Sequence, residues 1–197
     1  MHLRKNACLR RSIEWGLEQD EGTITLVSGL FFSLFLAVLL VGFLQMEMVR
    51  SSSSYMEDAL AASGLASALI DLEEYGISHM VRIADAESAY AQYLMSLKAN
   101  LRLDENWECE NQKLICGQVK LENYTVYNVS GSWVEYCRMD DGSRTWHVGK
   151  LGEVCAPNGQ IIEKTGVYGE ISYPFRGLWG MTVQARKGKL VDIASEN

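Results

Sequence analysis

The sequence predicts an α+β fold: an N-terminal transmembrane helix, a helical segment that extends it, and a small antiparallel β-sheet domain. Three observations lead to this prediction. Residues 22–46 carry no charged side chain. Residues 47–103 are rich in helix formers, with apolar residues at three- and four-residue spacing. Residues 104–197 alternate β-forming with polar residues between turn signals, and residues 1–21 form a leader of mixed charge.

The uncharged run of 25 residues is long enough to cross a lipid bilayer. An α-helix rises 1.5 Å per residue, so about 20 residues span a hydrocarbon core of roughly 30 Å. The alternative is a cleaved signal peptide, whose apolar region has about 7–15 residues with a small-residue cleavage site close behind it. The nearest such site, Ala59–Ala61, lies well beyond the last apolar residue of the run. We therefore expect a retained, single-pass spanning helix.

Basic residues flank this run unequally. Arg4, Lys5, Arg10 and Arg11 precede it, whereas only Arg50 follows closely. Cytoplasmic flanks are enriched in basic residues, so the N-terminus is predicted to stay in the cytoplasm and the C-terminal domain to be extracytoplasmic at the cell membrane. The leader sums to zero charge, so the whole net charge of −7 lies after the run. An acidic exported part makes nucleic acid an unsuitable partner.

The helical segment is predicted to pack against a sheet through one apolar stripe. This stripe consists of Met56, Leu60, Leu65, Leu69 and Leu72. The serine run Ser51–Ser54 has low helix propensity and is either a short linker or part of a helix that continues from the membrane. A further helix is predicted at Asp85–Leu101, with Asp85 as its N-cap.

Turn signals divide the β region into strands. Asp141-Gly142 predicts a hairpin turn with a strand on either side. Residues 156–160, which read APNGQ, predict a second turn. Lys187-Gly188 predicts a last turn near the C-terminus.

Four cysteines lie in the predicted exported part, and four cysteines allow three pairings. Two disulfides, Cys109–Cys116 and Cys137–Cys155, are favoured because each closes a short loop. Free thiols and a metal site are the alternatives. The spacings contain no C-x-x-C element, and a zinc site needs clustered ligands.

Catalytic chemistry is not indicated by any residue pattern, so the chain is predicted not to be an enzyme and to need no cofactor. Glu73 and Glu74 are interpreted as a solvated helix surface, and His147 as a strand residue beside Trp146. Asn123-Tyr-Thr and Asn128-Val-Ser match the glycan acceptor pattern, which is short and arises often by chance.

The start of the chain, a leader with four basic residues that ends in Gly22 before an uncharged apolar run, resembles the type IV pilin-like family, including pseudopilins and Tad-type pilus proteins. In that family a prepilin peptidase cuts after a glycine on the cytoplasmic side. The resemblance places this cut between Gly22 and Thr23. It implies partners among pilin-like subunits and secretion-system proteins. The family usually has a glutamate five residues past the cut, where this chain has Val27, a departure that some minor members share.

Small residues recur every fourth position through the run, at Thr25, Gly29, Ser33 and Ala37. Small side chains at this spacing allow helix backbones to approach closely in lipid. The opposite face carries larger residues suited to lipid: Phe31, Leu34, Phe35 and Val38. The run therefore either packs against other helices or serves as a plain anchor.

Two classes of function follow from these observations. The first is a membrane-anchored, pilin-like structural or assembly component of a pilus or secretion apparatus. The second is a single-pass, membrane-tethered extracytoplasmic domain that binds a ligand or performs enzyme chemistry. The lack of a catalytic pattern favours the first class.

Overall fold

The computed structural model of the protein describes residues 3–109, 115, 117–140, 143–177 and 181–193, with side chains from residue 22 onward. The chain divides into two compact units, Met1–Met48 and Val49–Asn197. The helices are α1 (Leu3–Ser67), α2 (Leu72–Ser78) and α3 (Ala86–Leu101), and the strands are β1 (Lys120–Ser130), β2 (Trp133–Asp140), β3 (Ser143–Lys150), β4 (Gly166–Arg176) and β5 (Thr182–Asp192). The predicted α+β class is confirmed.

The five strands form one antiparallel sheet in the order β3-β2-β1-β4-β5. Directly opposed residues of neighbouring strands lie on the same face of a sheet. One row of such residues, Cys137, Val126, Val167 and Val191, crosses four strands and is buried throughout. We call the face that carries this row the helix face.

Helix α3 and the part of α1 after Val49 cover the helix face. The Tyr93 ring of α3 packs on the Tyr124 ring of β1, with 4.8 Å between ring centroids. Gly64 of α1 lies so close to Val191 that a Cβ built on the glycine would be 2.7 Å from Cγ2 of the valine. Each fully buried large apolar side chain at this interface contributes about 1.5–3 kcal/mol.

The opposite face of the sheet is covered by the connection between β3 and β4, residues 151–165. Its core is a cluster of buried residues: Tyr127, Val134, Ala156, Ile162, Tyr168 and Leu190. The predicted turn at 156–160 is confirmed. The Ala156 amide donates to the Gln160 carbonyl at 2.8 Å, and Gly159 has a φ of +83°, which favours glycine.

The helical segment differs from its prediction at one end. Helix α1 continues through Ser51–Ser54, so the serine run is not a linker, and α1 ends at Ser67. A new helix, α2, then begins after Asp71, whose Oδ1 accepts hydrogen bonds from the amides of Glu73 and Glu74 at 3.0 Å. The predicted N-cap role of Asp85 is confirmed, because its side chain accepts from the amides of Glu87 and Ser88.

The predicted turn at Lys187-Gly188 is wrong, because both residues lie inside β5. Gly188 pairs with Glu170 of β4, and a side chain on Gly188 would collide with the hydroxyl of Tyr168. Because Gly188 has no side chain, the Tyr168 ring can lie over the strand at this position. The residue continues the strand and forms no turn. The predicted hairpin turn at Asp141-Gly142 lies outside the described residues, although β2 and β3 on either side of it do pair.

Candidate functional site

The apolar part of α1 exposes its large side chains. From Ile24 to Leu44, each large apolar residue is between 46% and 75% exposed. A soluble surface rarely carries a continuous apolar patch of this extent, because water disfavours it. The segment from Gly22 onward is long and apolar enough to cross a membrane.

Two serine side chains in this part of α1 are hydrogen-bonded within the helix itself. The Ser28 hydroxyl donates to the Thr25 carbonyl at 3.0 Å, and the Ser33 hydroxyl donates to the Leu30 carbonyl at 2.8 Å. Hydrocarbon offers no hydrogen-bond partners, so polar groups there must be satisfied by the protein. These two serines therefore suit a lipid environment.

The predicted packing stripe lies on one broad side of α1. Thr25, Gly29, Ser33 and Ala37 are all exposed. At 100° per residue, positions four apart advance by only 40°, so the stripe faces away from Phe31, Leu34, Phe35 and Val38. Apart from its chain neighbours and the backbone of its own helix, no described atom lies within 4 Å of a Cβ built on Gly29, so the space beside it is open.

The predicted cleavage position lies inside α1. Gly22 and Thr23 are both helical and exposed, and a Cβ on Gly22 would have nothing within 4 Å. The side chains of the leader before Gly22 lie outside the described residues. Cleavage between Gly22 and Thr23 therefore stays a prediction.

The predicted Cys137–Cys155 disulfide is wrong for this structure, because both thiols are free. Cys137 is fully buried on the helix face, and burial raises the pKa of its thiol. Cys155 is exposed and lies in the connection that covers the opposite face. The sheet therefore separates the two sulfur atoms, although only seventeen residues intervene in sequence.

The other predicted pair, Cys109–Cys116, stays a prediction because Cys116 lies outside the described residues. The Cys109 sulfur lies 3.6 Å from the Leu101 carbonyl oxygen, at the C-terminal end of α3.

No three His, Cys, Asp or Glu side chains among the described residues are placed to hold a metal ion. His147 stacks on Tyr136, with ring centroids 5.1 Å apart and an interplanar angle of 26°. The histidine is thus part of the sheet surface, as its strand position predicted.

Asn128 has a role that the sequence did not reveal. Its side chain accepts from the Ile83 amide at 2.9 Å and donates to the Ile83 carbonyl at 3.2 Å, so it fastens the segment before α3 to β1. Asn123, the other asparagine in a glycan acceptor pattern, is also buried and accepts a hydrogen bond from Thr125. Neither asparagine is accessible for a glycan in the folded domain.

A cleft of about 280 Å³ lies on the helix face beside the β2–β3 edge of the sheet. Met80, Trp133 and Val148 form apolar walls, and Arg82 and Glu135 add an ion pair of 2.8 Å. Trp133 and Val148 are exposed. The sequence could not indicate this cleft, because its walls come from α2, the segment after it and three strands.

Comparisons of the chain with protein-family models, with curated proteins and with solved structures find no match.

Proposed function

We propose that the chain is a membrane-anchored, pilin-like structural or assembly component of a pilus or secretion apparatus. The observation that carries the proposal is that the two parts of helix α1 have different environments. Its apolar part exposes large side chains from Ile24 to Leu44, and its later part is built into the core of the β-sheet domain through residues such as Met56 and Leu60. A helix of this kind joins a folded domain to a membrane or to neighbouring helices without a linker.

Close helix packing is supported by the stripe of Thr25, Gly29, Ser33 and Ala37. In lipid, apolar side chains gain little from contact with one another, and helix association depends on backbone approach and van der Waals packing. Small residues permit that approach. The partners we propose are other pilin-like subunits or proteins of a secretion system.

The proposed orientation has the N-terminus in the cytoplasm and the β-sheet domain outside, from the distribution of basic residues around the run. In this orientation a cut between Gly22 and Thr23 would occur on the cytoplasmic side. Cysteines introduced after residue 50 should react with a membrane-impermeant reagent in intact cells, and cysteines introduced before residue 20 should not. Labelling of the N-terminal side alone would reverse the orientation.

The decisive experiment alters the stripe and leaves the apolar character of the helix unchanged. Gly29→Leu and Ser33→Leu should still insert in the membrane but lose close packing, because the larger side chain holds neighbouring backbones apart. Leu34→Ala and Phe35→Ala on the opposite side are the matched controls. Crosslinking of the protein to itself or to pilus components in intact cells should fall in the first pair and persist in the second.

A membrane-tethered, ligand-binding domain is the second candidate, and the cleft walled by Met80, Trp133 and Val148 favours it. Pockets for small ligands combine apolar walls with a few polar groups, as this cleft does. Equal crosslinking in all four helix variants would make this candidate the better one. A gene neighbourhood with a secretion ATPase and a prepilin peptidase would support the assembly role instead.

A further inference from the structure

Strand β3 has an open outer edge. It stands first in the sheet order and pairs only with β2 among the described strands. The Leu151 amide donates to the Ser132 carbonyl at 2.9 Å, which continues the β2–β3 ladder in register. Alternate residues of an antiparallel strand point their backbone groups the same way. The odd-numbered residues of β3 therefore bond to β2, and the even-numbered ones direct their N–H and C=O groups outward.

The four outward residues also share one face. Their partners across the β2–β3 ladder include Cys137, so Arg144, Trp146, Val148 and Lys150 all lie on the helix face. Trp146 is 49% exposed and Val148 is 67% exposed. Two apolar side chains thus lie between two cations along an open row of hydrogen-bonding groups.

Val148 links this edge to the cleft, because it forms one of the cleft walls together with Trp133 and Met80. A strand added beside β3 places its own side chains about 4.5–5.5 Å from those of β3 on the same face. An apolar residue of the added strand opposite Val148 would therefore lie at the border of the cleft.

The charged side chains on the outer edge of β3 determine what kind of strand can pair with it. Strand β3 contains no carboxylate. The ion pair between Arg144 and Glu87, at 2.7 Å, joins two side chains that are more than half exposed, so it competes only weakly with a new partner. Lysine and arginine on an edge strand oppose pairing with another basic strand.

Among the described strands, a second copy of this chain offers no complementary edge. Two β3 strands paired antiparallel about His147 would place Arg144 of each copy opposite Lys150 of the other, and like charges directly opposite are destabilising. The other edge strand, β5, is also mainly basic. Its basic residues are Arg186, Lys187 and Lys189, and its one acidic residue lies at its end.

We propose that the outer edge of β3 binds an extended segment of a partner protein by strand addition, and that this segment has two apolar residues at alternate positions flanked by acidic ones. Main-chain hydrogen bonds to the outward groups of β3 supply affinity. The acidic residues meet Arg144 and Lys150, and the apolar residues meet Trp146 and Val148. This inference is independent of the role proposed for α1.

A pair of labelled heptapeptides tests the proposal on the full chain in detergent micelles. The acidic peptide reads Glu-Thr-Val-Thr-Val-Thr-Glu, and its matched control has lysine in place of both glutamates. Because the pattern is symmetric, it fits β3 in either direction. Fluorescence anisotropy should show the acidic peptide binding about tenfold more tightly than the lysine peptide. In the lysine peptide, two attractive cross-strand charge pairs become repulsive. Equal affinity of the two peptides would overturn the proposal.

Two variants locate the binding at β3. Val148→Pro removes an outward N–H without removing a bond to β2, so it should weaken the acidic peptide at least about tenfold. Val148→Thr keeps the N–H and a β-branched side chain and should bind within about threefold of the unaltered chain. Lys150→Glu leaves the backbone unchanged and should shift preference toward the lysine peptide. Unchanged affinities in Val148→Pro and Lys150→Glu, or a dimer of the full chain that Val148→Pro dissociates, would refute the proposed occupant.

Discussion

The carboxylate of Glu57 on α1 accepts a hydrogen bond from Lys189 of β5, with 2.7 Å between Oε1 and Nζ. Lys187 of the same strand lies 3.0 Å from Oε2. Hydrogen bonds from Lys189 and then Lys187, with their positive charges, lower the pKa of Glu57 to about 2. One carboxylate therefore fastens the helix to the edge strand through two cations.

Replacement of Glu57 by glutamine should destabilise the domain in a pH-dependent way. The pKa in the folded state is below its ordinary value of 4.5, so the ionised form stabilises the fold above about pH 4.5, and this contribution disappears as the pH falls toward 2. Because the side chain is 38% exposed, solvent screening reduces the effect to about 1 kcal/mol. Urea unfolding of both proteins from pH 2 to 7 should give unfolding free energies that differ near neutral pH and converge at acid pH. A constant difference would contradict the prediction.

Replacement of Asn128 by alanine should cost about 2–4 kcal/mol of unfolding free energy, because it leaves a buried amide and a buried carbonyl of Ile83 without partners. Asn158→Ala is the matched control. Its Oδ1 accepts one exposed hydrogen bond from the Gln160 amide, so its loss should cost well under about 1 kcal/mol. Urea denaturation measures both. Equal losses of unfolding free energy would show that the contact with Ile83 contributes no more than one exposed hydrogen bond.

Replacement of Gly169 by alanine should destabilise the domain by about 1–3 kcal/mol, because the new methyl group would collide with the Tyr93 hydroxyl. That hydroxyl is buried and makes no hydrogen bond to a described residue. Tyr93→Phe should therefore be nearly neutral alone and should recover part of the loss in the double variant. Thermal unfolding of the four proteins completes the cycle. Additive losses would mean that the two residues do not collide.

Cys155 and Cys137 should differ sharply in reactivity. Cys155 is exposed, whereas Cys137 is fully buried with a raised thiol pKa, so a maleimide should modify Cys155 in the native protein and reach Cys137 only after unfolding. Mass mapping of labelled peptides with and without urea measures both. Protection of both residues until a reductant is added would show that Cys137 and Cys155 form a disulfide, contrary to the structure.

Local signals in the sequence predicted those parts of the fold that local chemistry decides. Asp85 caps a helix with its own side chain, and the turn at 156–160 needs only Gly159 and its neighbours. The turn predicted at Gly188 is not formed, because a tyrosine twenty residues earlier in the chain decides the conformation there.

The candidate site divides in the same way. The exposed apolar run and the stripe around Gly29 could be predicted, because periodicity along one helix determines both. The cysteine pairing could not, since it depends on which face of the sheet each residue occupies. The cleft could not either, since Met80 and Val148 come together only when β1, β2 and β3 align.

The two buried asparagines affect how the protein can be produced. In a host that glycosylates exported chains, the acceptor patterns at Asn123 and Asn128 would be accessible while the chain is still unfolded. A sugar on Asn128 would replace the hydrogen that its amide donates to Ile83 and would occupy space that the core needs. Sugar transfer and folding would then compete for the same side chain. Production in a host without that transferase keeps Asn128 available for its structural contact.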